Sequence, residues 1–276
     1  MMPHVDVDGL VLNVDRYGLG PPVILLHGFT GSRTSWYDIV RALDGEFTTL
    51  SVDLIGHGWS GSPSSVERYQ MSRAVDDLVT LMRKSGFERA VWVGYSLGGR
   101  TALQLAVQHP EAVAALVLEG ASPGLATEQE RAGRIAADEV LARKLETEGL
   151  EAFIDYWQSI PLWDSQKTTL TEPLRVALRQ QRLAQRATGL ANSLRGMGTG
   201  SQMWVGDRLG GLDVPVLLTA GRLDTKFSAI AAEMAQAIPD ARLEIIEDAG
   251  HCAHLEQPAA FNAVLLDFLR GIRGRL

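Results

Sequence analysis

Gly94-Tyr95-Ser96-Leu97-Gly98 is the stretch whose reading decides the fold. It follows the apolar run Ala90-Val91-Trp92-Val93 and precedes a helical pattern from Leu97 to Gln108, with Gly98, Gly99, Ala102 and Ala106 on one side. The sequence predicts a strand, a sharp turn carrying a serine, and a helix seated close against the sheet. A serine at the apex of so tight a turn needs neighbours without Cβ, so that strand and helix can approach and leave its Oγ exposed at the helix N-terminus. Such a hydroxyl is a poor nucleophile or base until a histidine takes its proton and a carboxylate orients that histidine. The rest of the chain must supply both.

Later strand ends offer them. Asp224 follows the apolar run from Val216 to Ala220, in Gly221-Arg222-Leu223-Asp224, and His251 follows Leu243 to Ile246, in Asp248-Ala249-Gly250-His251. The order is Ser96, Asp224, His251. Three readings compete: Asp224 as only the N-cap of a helix beginning near Lys226, Asp248 as the acid, and His254 in place of His251. His27 and His57 sit in glycine loops at strand ends and are read as structural supports. An oxyanion needs two donors, and the backbone N–H groups of Leu97 and of Phe29, in His27-Gly28-Phe29, are placed to give them. Neither a His-x-x-x-His pair nor a carboxylate cluster with ligand spacing occurs, so neither metal nor cofactor is expected. The lone cysteine, Cys252, excludes an internal disulfide, and it reads as a variable position after the histidine rather than a catalytic thiol.

Working outward, an alternating stretch broken by Asp8-Gly9 predicts an N-terminal antiparallel hairpin. The continuous run Pro22-Val23-Ile24-Leu25-Leu26 then predicts a parallel strand covered on both faces. Strand and helix alternate to Glu119 and again from Val214, giving an α/β class with a mostly parallel eight-stranded sheet flanked by helices. The expected helices include Ser35 to Leu43, Tyr69 to Lys84, Ala229 to Ala237 and Pro258 to Arg270. From Ser122 to about Leu209 the alternation stops and several helices follow in succession. The expected organisation is a core of residues 1–121 and 210–276 with a helical cap, 122–209, inserted between them. The chain has 276 residues, 46% of them hydrophobic, with 26 Lys+Arg against 33 Asp+Glu and a formal charge of −7. That balance argues against nucleic acid or an anionic membrane as partner. No apolar stretch approaches the ~20 residues needed to span a bilayer, and the N-terminus lacks a leader pattern, so a cytoplasmic monomer or weak homo-oligomer is expected.

The cap carries an unusual concentration of charge. Between Ser165 and Gly200 six basic residues (Lys167, Arg175, Arg179, Arg182, Arg186, Arg195) face one acid, Glu172, a local balance of +5. Arg175, Arg179, Arg182 and Arg186 step by four, three and four, as on one helical face. Arg131 and Arg134 open the first cap helix, and Arg100 lies four residues after Ser96. Arginine pairs bidentately with carboxylates, so the set predicts a small-molecule polycarboxylate substrate. Trp157 and Tyr156 are candidates for the pocket wall.

These residues carry a family resemblance. Nearly the whole chain resembles the α/β-hydrolase fold. More narrowly, Gly94 to Arg100, the stretch Leu190-Ala191-Asn192-Ser193-Leu194-Arg195-Gly196-Met197-Gly198-Thr199-Gly200-Ser201-Gln202, and Lys226-Phe227 resemble the 2-succinyl-6-hydroxy-2,4-cyclohexadiene-1-carboxylate (SHCHC) synthases of menaquinone biosynthesis. After the glutamine the family usually continues Pro-Ser-Leu-Trp, whereas Met203-Trp204 follows here. The resemblance implies a lyase that eliminates pyruvate from an enolpyruvyl ether, with Ser96, His251 and Asp224 as the base. It also implies Tyr95 and Arg100 at the pocket floor, with Arg134, Trp157 and Arg179 binding carboxylates or lining the site. An ester or C–C bond hydrolase working through an acyl-enzyme is the alternative for the same triad.

Overall fold

The computed structural model describes residues 4–276, so Met1 to Pro3, read above for a leader, lie outside them. Eight strands form one sheet: β1 His4–Val7, β2 Leu10–Tyr17, β3 Pro22–Leu26, β4 Thr48–Val52, β5 Ala90–Tyr95, β6 Val113–Glu119, β7 Val216–Gly221 and β8 Ala241–Ile246. Their order is β1-β2-β4-β3-β5-β6-β7-β8. β1 and β2 pair antiparallel, as do β2 and β4, and the pairings from β4 to β8 are parallel. The expected α/β class and mostly parallel sheet are therefore observed.

Continuous apolar runs form the central strands because both faces are covered. In β3, Ile24 and Leu26 enter one core while Val23 and Leu25 enter the other. The first core is closed by α2 Met71–Lys84, α3 Leu97–Gln108 and α9 Thr225–Ala237, and the second by α1 Tyr37–Leu43 and α11 Pro258–Gly271. Each apolar side chain fully buried in this way contributes about 1.5–3 kcal/mol relative to exposure.

Between β6 and β7 the chain forms α4 Glu128–Thr147, α5 Gly149–Ser159, α6 Gln166–Thr169, α7 Glu172–Leu183 and α8 Ala187–Met197. Thr127 opens α4 with a capping box, accepting from Glu130 N–H while the Glu130 carboxylate takes the Thr127 N–H. Leu145, Phe153, Ile154, Leu190 and Leu194 give these helices a small core of their own, against which Phe29 and Trp157 pack. α10 Ala253–Glu256 lies just before α11.

Two boundaries differ from expectation for physical reasons. α9 begins at Thr225 rather than near Ala229, because the Asp224 carboxylate accepts the Phe227 N–H at 3.1 Å and starts the helix early. α7 ends at Leu183, so Arg186 does not share a helical face with Arg175, Arg179 and Arg182; it lies just before α8 and donates to Ser60 O.

Candidate active site

Ser96 stands between β5 and α3 with φ 49° and ψ −106°, a conformation that residues with a Cβ rarely adopt. Its N–H donates to Glu119 O at the end of β6 at 2.8 Å, which ties the turn to the sheet. A Cβ at Gly98 would run into the Leu26 carbonyl, and one at Gly94 into Gly98 itself. The glycines thus permit the close approach that aims the hydroxyl outward. The intrahelical bonds of α3 open with Arg100 N–H to Ser96 O at 2.9 Å, and the Leu97 N–H has no backbone acceptor among the described residues. The same holds for the Phe29 N–H.

His251 Nε2 lies 3.0 Å from Ser96 Oγ, and its Nδ1 donates to Asp224 Oδ2 at 2.7 Å. The imidazole is almost fully buried, with Phe227 at 4.5 Å and Trp163 at 5.8 Å between ring centroids. Asp224 does two jobs with its two oxygens: one caps α9 and the other orients His251. The same carboxylate is thus the N-cap of α9 and the hydrogen-bond partner of His251, so it is not an N-cap only. Asp248 is not a partner of His251; its carbonyl accepts from Gln257 at 3.1 Å. His254 is turned away and donates through Nδ1 to Glu119 Oε2 at 2.6 Å, with both groups buried. Burial alone would lower its pKa, but the neighbouring Cys252 and Glu119 outweigh that and raise it to about 10.

His27 and His57 hold loops. His27 Nε2 accepts the Leu54 N–H at 3.0 Å while Nδ1 donates to Gly28 O, and His57 Nδ1 donates to Ile55 O at 3.1 Å. Burial and the adjacent His27 push the His57 pKa down to about 3.

A cavity of about 440 Å³ opens over Ser96. Its walls include Phe29, Tyr95, Leu97, Arg100, Arg134, Trp157 and His251. Trp157 stacks on Phe153 and meets the edges of Phe29 and Trp163. Arg100 is half-buried, and desolvation followed by the charge of Arg134 lowers its pKa to about 9 against the pull of Asp138.

Arg179 does not reach the cavity. It pairs at the surface with Asp155 at 2.7 Å and Glu151 at 3.3 Å, because α5 presents those acids to α7. The wider picture of a basic cap over the serine changes in the same way. Arg195 is held by Glu139 and Glu146, Arg175 by Glu172 and Lys167 by Asp164. Arg182 lies buried over the Trp163 ring, in a separate small hollow behind Tyr95. Among the described residues the cations lining the serine cavity are Arg100, Arg134 and Lys226. Sequence reasoning missed Trp163, Asp138 and the place of Lys226 in this wall. Lys226-Phe227 was visible as a motif, but Asp138 and Trp163 had no spacing signal.

A family model described as the alpha/beta hydrolase fold matches residues 21–258. The chain belongs to the α/β-hydrolase family. Within it, a Bacillus subtilis (strain 168) protein provisionally named 2-succinyl-6-hydroxy-2,4-cyclohexadiene-1-carboxylate synthase is 44% identical over 250 residues, covering 91% of this chain and 90% of the relative. The synthase of that name from Enterobacter sp. (strain 638) is 34% identical over 251 residues, covering 91% and 92%. Among solved structures, MenH from S. aureus superposes with a TM-score of 0.89 at 30% identity, covering 94% of this chain and 98% of that one. This α/β-hydrolase chain is thus similar to synthases of that name over nine-tenths of its length, and not only at the elbow.

Proposed function

We propose that this chain is a carbon–oxygen lyase of menaquinone biosynthesis. It removes pyruvate from 2-succinyl-5-enolpyruvyl-6-hydroxy-3-cyclohexene-1-carboxylate to give SHCHC. The observation that carries the reading is the 44% identity to a named synthase over nine-tenths of both chains. A serine, histidine and aspartate in hydrogen-bonded sequence beneath two arginines support it.

The change between substrate and product sets the task. The ring loses a proton from C2, the double bond at C3 shifts so that C2=C3 and C4=C5 form, and the C5–O bond breaks with its electron pair leaving on enolpyruvate. Protonation of that enol at carbon gives pyruvate. In our reading Ser96 Oγ takes the C2 proton while its own proton passes to His251 Nε2, and Asp224 keeps His251 in the tautomer that accepts it. C2 lies next to the succinyl carbonyl, so the charge left on the ring develops on that oxygen, and the Phe29 and Leu97 N–H groups are its donors. Tyr95 and Trp157 wall the ring, and Arg100 and Arg134 take carboxylates. Residues 122–209 then act as a cap that closes the cavity over the core formed by 1–121 and 210–276. Arg179 is left out of this assignment, since its charge is already paired.

Pyruvate release from the enolpyruvyl substrate, followed by a coupled NADH assay, tests the reading. The wild-type protein releases pyruvate, and Ser96→Ala lowers kcat by at least about a thousandfold while leaving the protein folded. A burst of p-nitrophenol from p-nitrophenyl acetate, with no pyruvate formed, would instead establish the hydrolase alternative.

A further inference from the structure

The two guanidinium groups lining the serine cavity are each held by one nitrogen only. Arg134 donates through Nε to Asp138 Oδ1 at 2.8 Å, and its Nη1 and Nη2 have no acceptor among the described residues. Arg100 donates through Nη1 to Met197 O at 3.0 Å and to Gln202 Oε1, and its Nε and Nη2 are likewise without an acceptor there. The cap's Arg195 is a contrast, since Nε, Nη1 and Nη2 all go to Glu139 and Glu146.

A guanidinium takes a carboxylate bidentately along one edge, using two N–H groups that point the same way. Holding Arg134 by Nε leaves the end-on edge, Nη1 and Nη2. Holding Arg100 by Nη1 leaves the side-on edge, Nε and Nη2. One free edge is end-on and the other side-on, and each is wide enough to take a carboxylate of its own.

The anchors are themselves fixed. Asp138 and Gln202 are both 2% exposed. A Cβ at Gly198 would run into the Leu194 carbonyl and Asp138 Oδ2, so the chain leaving α8 lies directly on the Asp138 carboxylate. Gln202 ends that same segment, beside Gly124. Its chemistry matters: an amide oxygen holds the half-buried Arg100 without adding a negative charge, whereas a second carboxylate beside Asp138 would oppose the arrival of an anionic ligand.

We propose that Asp138 and Gln202 are positioning residues that fix the two cavity arginines by one nitrogen each, so that Arg134 and Arg100 present their remaining edges to two carboxylates of one substrate. The identity of that substrate rests on the lyase reading; the geometry of the anchors does not.

The test compares Asp138→Ala, Asp138→Asn, Gln202→Ala and Gln202→Glu in three measurements. These are kcat and KM for pyruvate release, the Kd of tricarballylate by calorimetry, and thermal melting to confirm folding. Loss of one charge-assisted hydrogen bond raises KM and the tricarballylate Kd about tenfold in Asp138→Ala and Gln202→Ala, while kcat falls by less than about threefold. Asp138→Asn keeps an acceptor for Nε and restores most of the affinity. Gln202→Glu keeps the contact yet binds at least as weakly as Gln202→Ala, because its added charge repels the incoming carboxylate. A purely structural role would give neither the asparagine rescue nor the glutamate penalty. Values of KM and Kd within about twofold of wild type in both alanine variants, or wild-type binding by Gln202→Glu, overturn the proposal. A wild-type protein that releases no pyruvate overturns the lyase reading instead, and tricarballylate binding then decides the anchors alone.

Discussion

Arg100 and Arg179 show what a single arginine is worth in two settings. Arg100 is half-buried and its hydrogen-bond acceptors, Met197 O and Gln202 Oε1, are neutral. Its guanidinium has no carboxylate hydrogen-bonded to it, only the charge of Asp138 nearby, so a ligand carboxylate can pair with it directly and truncation removes that interaction from the bound state. Arg100→Ala is expected to lower kcat/KM for the anionic substrate by at least about a hundredfold, in line with loss of a buried charged contact. Arg179 already spends its charge on Asp155 and Glu151 at the surface, where such pairs contribute little. Arg179→Ala is expected to leave KM within about twofold of wild type. Steady-state kinetics on the two variants, run side by side, check both; a large KM increase in Arg179→Ala would return that residue to the site.

At the scale of elements, the site depends on three strand ends being held together, and one buried pair does much of the holding. The Glu119 carbonyl at the end of β6 accepts the Ser96 N–H, while its carboxylate grips the backbone N–H and Nδ1 of His254 at the start of α10. The Tyr95 ring fills the space between His251 and His254. Removing one member of a buried ion pair strands the other, so Glu119→Ala is expected to cost about 3–5 kcal/mol in denaturant unfolding. A loss below about 1 kcal/mol would mean that the strand ends hold without this tie. The elements themselves were legible because their signals are local: β5 and α3 follow from apolar runs and the glycines beside Ser96, and Asp224 and His251 follow from their places after β7 and β8. The roles of the arginines were not legible from spacing. Their partners come from elsewhere in the chain, such as Asp155 on α5 for Arg179 and Glu139 on α4 for Arg195. Tertiary packing, not helical periodicity, decides which cations stay free.

Across the whole molecule, buried histidines give the fold a pH window with two different edges. His57 is held at about 3 and His27 is also lowered, in both cases chiefly by burial, from the ordinary histidine value of 6.5. Below pH 6.5 the unfolded chain takes up protons at these sites that the folded chain refuses, so stability present above 6.5 is lost as the pH falls. His254 runs the other way. Its folded value of about 10 lies above 6.5, so the stability it contributes is complete below 6.5 and is lost as the pH rises toward 10. The melting temperature is therefore expected to peak near pH 6.5 and to decline on both sides. The alkaline decline belongs to His254 with its partners Cys252 and Glu119, so His254→Gln, whatever its overall stability, should show a flatter slope between pH 7 and 10 than the wild-type protein. His57→Asn should flatten the slope between pH 5 and 6.5, where the carboxylates that sit in surface ion pairs, such as Glu139 at about 2, have not begun to protonate. Calorimetric melting of the three proteins from pH 5 to 10 reads both slopes. An alkaline slope unchanged in His254→Gln would show that His254 and its partners do not govern that edge.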